Sequence, residues 1–199
     1  MNDVIDRSIP FCNLILRADE PPTQAPQLPE GFSFAAYAPG DEDAWAALET
    51  QIGDFDSVPA ARAYFQATYA ADTSLLRERC VFVRTMQGET VGACIAWHDA
   101  RGNTPVSSLH WLVVSPRWQG NGLGRALFLE AMRRFDAYPV YIHTQPWSYR
   151  ALMMYVRYGF TLMRRDTFSH YENQFAQGLC VLRGLLSADQ YALLKRTAR

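Results

Sequence analysis

The sequence predicts one α+β domain in which helices flank a mixed, mostly antiparallel central sheet. A length of 199 residues suits a single domain with a substantial core. The apolar periodicities run in a definite order: two early helices, an antiparallel meander, and then strand, helix, strand, helix and strand. This order differs from the repeated β–α alternation of a doubly wound parallel sheet.

The first half of the chain supplies the early helices and the meander. Strands are predicted over residues 11–18 and 32–38, with a proline-rich connection between them. A helix over about residues 42–51 has an acidic first turn that suits the helix dipole, and Pro59 suits the first turn of a second helix that ends near residue 70. Strands over residues 80–85 and 90–97 form a hairpin about Gln87 and Gly88.

The second half alternates strands and helices. A strand over residues 105–114 leads into a glycine-rich turn, and an apolar-periodic helix continues to about residue 135. A strand over 138–144 and a helix that ends at Gly159 follow, and Phe160 begins the next strand. Further strands are predicted near 164–169 and 179–186, and Ser187 caps a last helix over about 188–196. Residues 1–30 are predicted to be an N-terminal extension with an added strand, packed on a domain of residues 31–199.

Composition excludes several classes of protein. No apolar run approaches the roughly 18 residues of a membrane span, and the first seven residues lack the pattern of a signal peptide, so a cytoplasmic protein is expected. The four cysteines are scattered without a C-x-x-C pair, which predicts reduced, buried thiols and no metal site. A sequence pI near 6.4 argues against nucleic-acid binding.

Charge is distributed unevenly along the chain. Residues 1–100 contain 15 acidic and 6 basic residues, whereas residues 101–199 contain 5 acidic and 13 basic residues. A basic half suits a polyanionic cofactor and an acidic half could attract a cationic substrate. The alternative, that these charges are simply scattered over the folded surface, stays open.

The turn after residue 114 is the most informative segment of the chain. Gly120, Gly122 and Gly124 stand between a buried strand and a helix, where backbone N–H groups and the helix dipole favour an anion. The turn lacks the Gly-Lys-Ser/Thr end of a P-loop. A dinucleotide fingerprint would need glycine at the position of Arg125, and an acidic residue about twenty positions later, which residues 140–145 do not supply. An ordinary strand-to-helix turn remains the plain alternative.

Two motifs together resemble the GCN5-related N-acetyltransferase (GNAT) superfamily. Gln119-x-x-Gly122-x-Gly124 is similar to its pyrophosphate-binding motif, and Ala151 to Phe160 matches its late helix and Gly-Phe turn. The predicted element order is the one that the GNAT acyl-CoA N-acyltransferase fold requires. One departure is Ser148, where the family often has an Asn that contacts the pantetheine arm. The strong match covers residues 107–160.

The resemblance implies acetyl-CoA as co-substrate. The strand over residues 112–114 would pair with the pantetheine amides, and the turn would hold the pyrophosphate. Arg117, Arg125 or Arg157 could meet the outer phosphate. The cofactor-binding residues that the resemblance implies are Leu112, Val113, Val114, Gln119, Gly120, Asn121, Gly122, Leu123, Gly124, Arg125, Ser148 and Tyr155.

Acetyl transfer to an amine needs a proton acceptor, a donor for the oxyanion and a proton for the departing thiolate. The resemblance places Tyr155 near the CoA sulfur as the acid, although an aromatic core residue is the alternative. Several family members carry a Glu where Ser108 stands here, so His110 is the candidate base. His143 or a water chain are the other possibilities.

The remaining functional expectations are less specific. The resemblance implies an oxyanion donor among the backbone N–H groups of residues 112–114, where the strand splays from its neighbour. Asp54 and Asp56 could touch the acceptor amine, or they could lie on a solvated loop.

The sequence therefore predicts an N-acetyltransferase that moves an acetyl group from acetyl-CoA to a primary amine of an unidentified small molecule or peptide. The alternative is a catalytically silent CoA-binding regulatory or scaffold module. No nucleic-acid, membrane or metal partner is expected, whereas a homodimer and the use of another acyl group stay open.

Overall fold

The computed structural model describes residues 5–199, so the first four residues of the predicted extension lie outside the described residues. Seven strands and seven α-helices occur in this part of the chain. The strands are β1 Leu14–Ala18, β2 Phe32–Ala36, β3 Cys80–Thr85, β4 Thr90–Arg101, β5 Thr104–Val114, β6 Val140–Thr144 and β7 Thr161–Leu162. The helices are α1 Asp41–Ile52, α2 Val58–Tyr69, α3 Thr73–Arg79, α4 Leu123–Met132, α5 Tyr149–Arg157, α6 Phe175–Arg183 and α7 Ala188–Thr197.

The strands form a mixed sheet in the order β2-β3-β4-β5-β6-β1-β7. β3 is antiparallel to β2 and β4, and β1 is antiparallel to β6 and β7, whereas β5 and β6 are parallel. The predicted fold class is therefore confirmed. β1 is an interior strand, paired with β6 from Leu14 opposite Thr144 to Ala18 opposite Val140. The domain boundary at residue 30 stays a prediction.

The described chain divides into two compact units. The first contains residues 23–96 and 110–135, and the second contains residues 6–22, 97–109 and 136–199. In the first unit, α4 packs against β3, which is buried along nearly its whole length. Gly92 on β4 allows a close approach, because a Cβ there would lie 2.8 Å from Leu127 Cδ1 and 2.9 Å from the Val113 carbonyl oxygen.

In the second unit, α6 packs on β1, and α5 and α7 pack on β7. Leu14, Ile15 and Leu16 of β1 are completely buried. Gly178 of α6 contacts the Leu14 side chain so closely that a Cβ would overlap it. A hydrogen-bonded group also ties this unit together, because the Asp166 carboxylate accepts hydrogen bonds from Arg17 and Tyr141 and forms an ion pair with Arg101.

Most predicted elements before residue 163 agree with the structure in type and order. The exception is α3, which the sequence analysis missed. Its N-cap is Asp72, whose Oδ1 accepts a hydrogen bond from the Leu75 N–H at 2.9 Å. At the C-terminus, Ser187 caps α7 as predicted and forms a capping box with Gln190.

The two strands predicted after residue 163 are wrong. Residues 164–169 form no strand because side chains hold this segment: Asp166 makes the bonds described above, and Ser169 has a φ of +54°. Most of residues 179–186 belong to α6, whose buried Gly178 and Leu182 are one helical turn apart. Gly178 allows this helix to lie against Leu14, a contact that an apolar run in the sequence does not show.

The four cysteines are free. Cys12, Cys80 and Cys94 are buried as predicted, but Cys180 is exposed on α6, so the prediction of a buried thiol is wrong there. Among residues 5–199, no helix is both long enough and apolar enough to cross a membrane.

Candidate active site

The glycine turn in the first unit has an open backbone. Gly120 and Gly122 have φ values of +83° and +81°, in the left-handed region that favours glycine. A Cβ at Gly120 would meet nothing within 4 Å, and one at Gly122 would meet only the Arg125 guanidinium at 3.8 Å. Gly122 is also the N-cap of α4, so the first N–H groups of the helix have no partner within the helix. The turn can therefore accept an anion on backbone N–H groups.

Two amide side chains hold the turn in shape. Gln119 donates from Nε2 to the Val114 carbonyl at 3.0 Å, and Asn121 donates from Nδ2 to the Trp118 carbonyl at 3.1 Å. The side chains of Gln119 and Asn121 thus serve the backbone of the turn. An anion would be bound by the N–H groups of the same segment instead.

Positive charge surrounds the start of α4. Arg125 is exposed in the first helical turn, and exposed Arg117 lies over the ring of Trp118 at 5.1 Å. Leu123 is buried and anchors the helix start in the core. The arginines and the helix dipole both favour a phosphate at this position.

β5 contains a backbone distortion just before the predicted pantetheine strand. Trp111 has a φ of +51°, which is unusual for a bulky residue and costs about 1–3 kcal/mol. Such strain persists only where the surroundings determine the conformation. Here the Trp111 ring packs against Trp45, Phe55 and Tyr64, with centroid distances of 5.6, 5.4 and 5.3 Å. Leu112 and Val114 after it are half-buried, and Val113 is buried.

His110 precedes this distortion and is half-buried. Its Nδ1 lies 2.8 Å from the hydroxyl of Tyr69, the last residue of α2. In the second unit, Ser108 is buried and donates to Asp99 at 3.1 Å, so its hydroxyl serves a structural bond. His110 thus has a fixed ring position, which a proton acceptor needs.

Tyr155 lies in the second unit, on the buried face of α5. The helix ends in a Schellman motif, in which Phe160 N–H donates to the Tyr155 carbonyl at 3.1 Å and Gly159 N–H donates to the Val156 carbonyl at 3.3 Å. Gly159 adopts the φ of +95° that the motif requires. The Gly-Phe pair found in the sequence therefore fixes the helical turn that carries Tyr155.

Ser148 is the N-cap residue just before α5 and is half-buried. Its hydroxyl makes no capping hydrogen bond to the helix backbone. Arg157, in the last turn of the helix, is exposed. Their predicted contacts with a cofactor stay predictions.

His143, the alternative base, has a different environment from His110. Its Nε2 lies 2.8 Å from Asn13 Oδ1, and its ring stacks on Tyr171 with a centroid distance of 3.6 Å. The two histidines therefore bond through opposite ring nitrogens. A ring that is held by both stacking and an amide is well suited to a structural role.

Asp54 and Asp56 are exposed between α1 and α2, on either side of half-buried Phe55. Behind them, Glu49 is only 1% exposed. Burial, followed by the charge of Asp54 and a hydrogen bond with it, raises the pKa of Glu49 well above its ordinary value. Burial thus favours the protonated form of Glu49 more than solvent does for an exposed glutamate.

The sequence analysis missed Tyr69, Trp111 and Glu49. Tyr69 and Trp111 stand at positions where the sequence favours ordinary core aromatics, and Glu49 resembles a surface residue of an amphipathic helix. Forty-one residues separate Tyr69 from His110, so no local spacing could have paired them.

Comparisons with known proteins identify the family of the chain. The model of the acetyltransferase (GNAT) family matches residues 44–160. Mycothiol acetyltransferase from Frankia alni is 29% identical over 176 residues, which are 78% of this chain and 50% of that protein. The mycothiol acetyltransferase from Saccharomonospora viridis is 29% identical over 171 residues, 77% of this chain and 51% of that protein. The chain thus spans about half the length of these curated relatives.

Solved structures share the fold at low sequence identity. A GCN5-related N-acetyltransferase from Sphaerobacter thermophilus has a TM-score of 0.58 and 22% identity, covering 76% of this chain and 48% of that one. A tandem GNAT protein from the clavulanic acid biosynthesis pathway has a TM-score of 0.55 and 16% identity, covering 76% and 50%. GNAT proteins generally use acetyl-CoA. Because the family model covers more than half of its residues, the chain belongs to the acetyltransferase (GNAT) family.

Proposed function

We propose that the chain transfers an acetyl group from acetyl-CoA to a primary amine of a small molecule or peptide. The observation that carries this proposal is the open glycine turn at the N-terminus of α4, in a chain of the GNAT family. A side chain at Gly120 or Gly122 would occupy the space that a phosphate oxygen needs beside the backbone N–H groups.

The residues present fit the cofactor. The pyrophosphate would lie on the N–H groups of residues 120–125, with Arg125 or Arg117 at its edge and Arg157 as a further candidate. Leu112, Val113 and Val114 would offer backbone groups to the pantetheine amides, and Ser148 a hydroxyl. When bound, acetyl-CoA supplies a thioester, whose acyl carbon is open to attack by an amine.

Two side chains would manage the protons. His110 takes the proton that the acceptor nitrogen loses as its bond to the acyl carbon forms. Tyr155 gives its hydroxyl proton to the sulfur as the carbon–sulfur bond breaks, and later regains a proton from solvent. A backbone N–H of residues 112–114 would stabilise the negative charge that develops on the carbonyl oxygen.

The acceptor is proposed to be a small cationic amine. The names of the curated relatives, mycothiol acetyltransferases, support a small-molecule substrate. Exposed Asp54 and Asp56 favour a positive charge, and they lie in the same unit as His110.

Release of thiol from acetyl-CoA across a panel of amines tests the proposal. The panel should contain polyamines, amino sugars, neutral amines and anionic amino acids, and mass spectrometry should detect the N-acetylated product. We expect thiol and product in equal amounts, with cationic amines preferred. If no amine is acetylated although acetyl-CoA binds, the proposed activity is contradicted.

A catalytically silent CoA-binding module is the second candidate. The observation that favours it concerns Ser108. This residue stands where several family members carry Glu, and its hydroxyl donates a hydrogen bond to Asp99. The same panel separates the two functions, because a silent module would bind acetyl-CoA without releasing thiol.

A further inference from the structure

We propose that the acceptor carries a second, non-reacting alkylammonium group, which binds on the outer side of three aromatic rings, those of Phe55, Tyr64 and Trp111. The inference rests on the proposed function, because it names the class of acceptor that the same site takes. The simplest acceptors of this class are diamines whose two nitrogens are joined by an apolar chain. All residues that would bind the acceptor lie in the first unit.

The three rings form a nearly equilateral triangle. Their centroids are 5.4 Å apart for Phe55 and Tyr64, 5.4 Å for Phe55 and Trp111, and 5.3 Å for Tyr64 and Trp111. The ring of completely buried Trp45 lies 5.7, 6.3 and 5.6 Å from those of Phe55, Tyr64 and Trp111, so it covers one side of the triangle. Phe55 and Trp111 are half-buried and Tyr64 is 38% exposed. The other side of the triangle, called here the aromatic face, is therefore open to solvent.

Trp111 takes its place in the aromatic face at the expense of backbone strain. Its φ of +51° is unusual for a bulky side chain. Strain of this kind is concentrated at catalytic and ligand-binding sites. Trp111 also follows directly after His110, the proposed proton acceptor. The strained residue thus holds a partly exposed ring beside the proposed base in the chain, as expected of a residue that binds the acceptor.

The segment that carries two of the three rings is strongly acidic. Residues 41–69 contain six acidic residues and one basic residue. That basic residue, Arg62, is ion-paired with an aspartate of α1. Asp54 and Asp56 are exposed on either side of Phe55 in the sequence. The charge of this segment therefore favours a cation at the aromatic face.

The chemistry of the aromatic face selects an organic cation. The negative face of an aromatic ring attracts a cation, and the methylene groups of an alkylammonium chain gain from burial against the same ring. Inorganic divalent cations require several oxygen ligands instead. Among residues 5–199, no group of three or more His, Cys, Asp and Glu side chains could hold a metal ion. The occupant is therefore an alkylammonium group.

One buried ring connects the aromatic face to the proposed base. The centroids of His110 and Tyr69 are 6.0 Å apart, and those of Tyr69 and Tyr64 are 6.3 Å apart. A diamine can thus place one nitrogen at His110 and the other at the aromatic face. A monoamine can occupy only one of the two positions, so the site should favour diamines.

NMR titration with pentamethonium tests the aromatic face directly. This five-carbon chain has a trimethylammonium group at each end and no N–H that could be acetylated. Indole N–H signals of the ¹⁵N-labelled protein are followed without acetyl-CoA, and Trp111→Phe and Trp147→Phe assign two of them. Trp147 is the internal control, because it contacts exposed Phe11 in the second unit and neither residue has an acidic neighbour in the sequence.

We expect pentamethonium to shift the Trp111 signal in a saturable manner and to leave the Trp147 signal in place. Pentanediol, a neutral chain of the same length, should shift neither signal. A Trp111 signal that does not move with pentamethonium would overturn the proposal. A Trp111 signal that moves equally with pentanediol would also overturn it, because the face would then not recognise charge.

Two variants test the ring and the charge separately. Phe55→Leu keeps an apolar side chain but removes the ring, and it should raise the Kd for pentamethonium by about three- to fivefold. Asp56→Asn should raise it about twofold, with an effect that disappears at high salt. Phe11→Leu and Glu78→Gln are the matched controls and should leave the Kd unchanged. An unchanged Kd in both test variants would contradict the proposal.

Steady-state kinetics test the class of acceptor. Cadaverine is compared with its amino-alcohol analogue, in which a hydroxyl replaces one amine. We expect kcat/KM for cadaverine to exceed that of the analogue by more than the factor of about two that its two equivalent amines supply. Phe55→Leu should lower kcat/KM for cadaverine only. Equal values for the two acceptors in the wild type would contradict the proposal.

Failure of this proposal and failure of the proposed function give different results. Pentamethonium binding at Trp111 in a protein that acetylates no amine would uphold the aromatic face and refute the activity. An active enzyme whose Trp111 signal does not respond to pentamethonium would do the reverse. If Phe55→Leu does not fold, the wild-type titrations and Asp56→Asn decide.

Discussion

Tyr155 and Phe160 are joined twice at the end of α5. The Phe160 N–H donates to the Tyr155 carbonyl at 3.1 Å, and the two rings contact each other with centroids 6.1 Å apart. A backbone bond with an accompanying apolar contact is characteristic of a Schellman motif. The Gly-Phe pair therefore has a structural task, which is to hold the turn from which Tyr155 projects.

Gly159→Ala tests this motif. The residue has a φ of +95° and space for a Cβ, so the expected cost is backbone strain alone, about 1–2 kcal/mol of unfolding free energy. Gly184→Ala is the matched control: it also ends a helix of the second unit, but its φ of −82° suits alanine. Urea unfolding of both variants checks the difference. Equal stability of the two variants would show that the left-handed turn does not matter.

Tyr155→Phe tests the proposed acid. The substitution keeps the buried ring and its contact with Phe160, and removes only the hydroxyl. We expect kcat to fall by roughly 10²-fold or more, with little change in the affinity for acetyl-CoA. Steady-state kinetics with an active amine and a direct binding titration separate the two effects. Unchanged turnover would mean that Tyr155 has only a structural role.

His110→Gln tests the proposed base. The wild-type rate should rise with pH, because the proton acceptor must be unprotonated before it can take the proton of the amine. Removal of the imidazole should lower the rate and flatten the lower limb of the pH–rate profile. If the rate of the variant still rises with pH in the same way, then water or the ionisation of the amine, and not His110, causes the pH dependence.

Glu49→Gln tests the buried carboxyl of α1. Folding raises the pKa of Glu49 above its ordinary value of 4.5. Protonated Glu49 therefore makes its full contribution to the free energy of unfolding below pH 4.5, and this contribution is lost as the pH rises through the pKa that Glu49 has in the folded protein. Glutamine has the same shape and does not ionise, so the variant avoids this loss. The loss amounts to about 1.4 kcal/mol for each unit by which folding raises the pKa. Thermal unfolding should therefore show a variant that is more stable than wild type at neutral pH, with the gain shrinking toward pH 4.5.

The comparison for Glu49 is Glu78→Gln on the exposed side of α3, which controls for the loss of one negative charge. A Glu49→Gln gain that is the same at every pH would contradict the raised pKa.

Local signals explain what the sequence could predict. The glycine turn, the Gly159–Phe160 helix end and the Ser187 cap each depend on residues a few positions apart, and the structure contains all three. Long-range contacts explain most of what it could not. The φ of Trp111 depends on rings from α1, α2 and the loop between them, and α6 depends on the contact of Gly178 with Leu14.

Helix α3 has a local signal in the sequence, but the signal is too weak to predict the helix. Asp72 is a typical N-cap residue, and an apolar pair and a basic last turn follow it, which is the pattern of a helix. The helix has only seven residues, however. Short helices leave too little periodicity to distinguish them from a loop.

The central claim is that this chain uses acetyl-CoA through its glycine turn, and calorimetric titration of acetyl-CoA tests it most directly. Gly122→Val should abolish binding, because the side chain would occupy phosphate space at a φ of +81°. Gly88→Val is the matched control, with a φ of +84°, the same open surroundings and a place in the β3–β4 hairpin. The wild type and Gly88→Val should bind, and a hundredfold excess of ligand over its Kd should stabilise both by about 2.7 kcal/mol. A folded Gly122→Val protein that binds acetyl-CoA as tightly as wild type would contradict the claim.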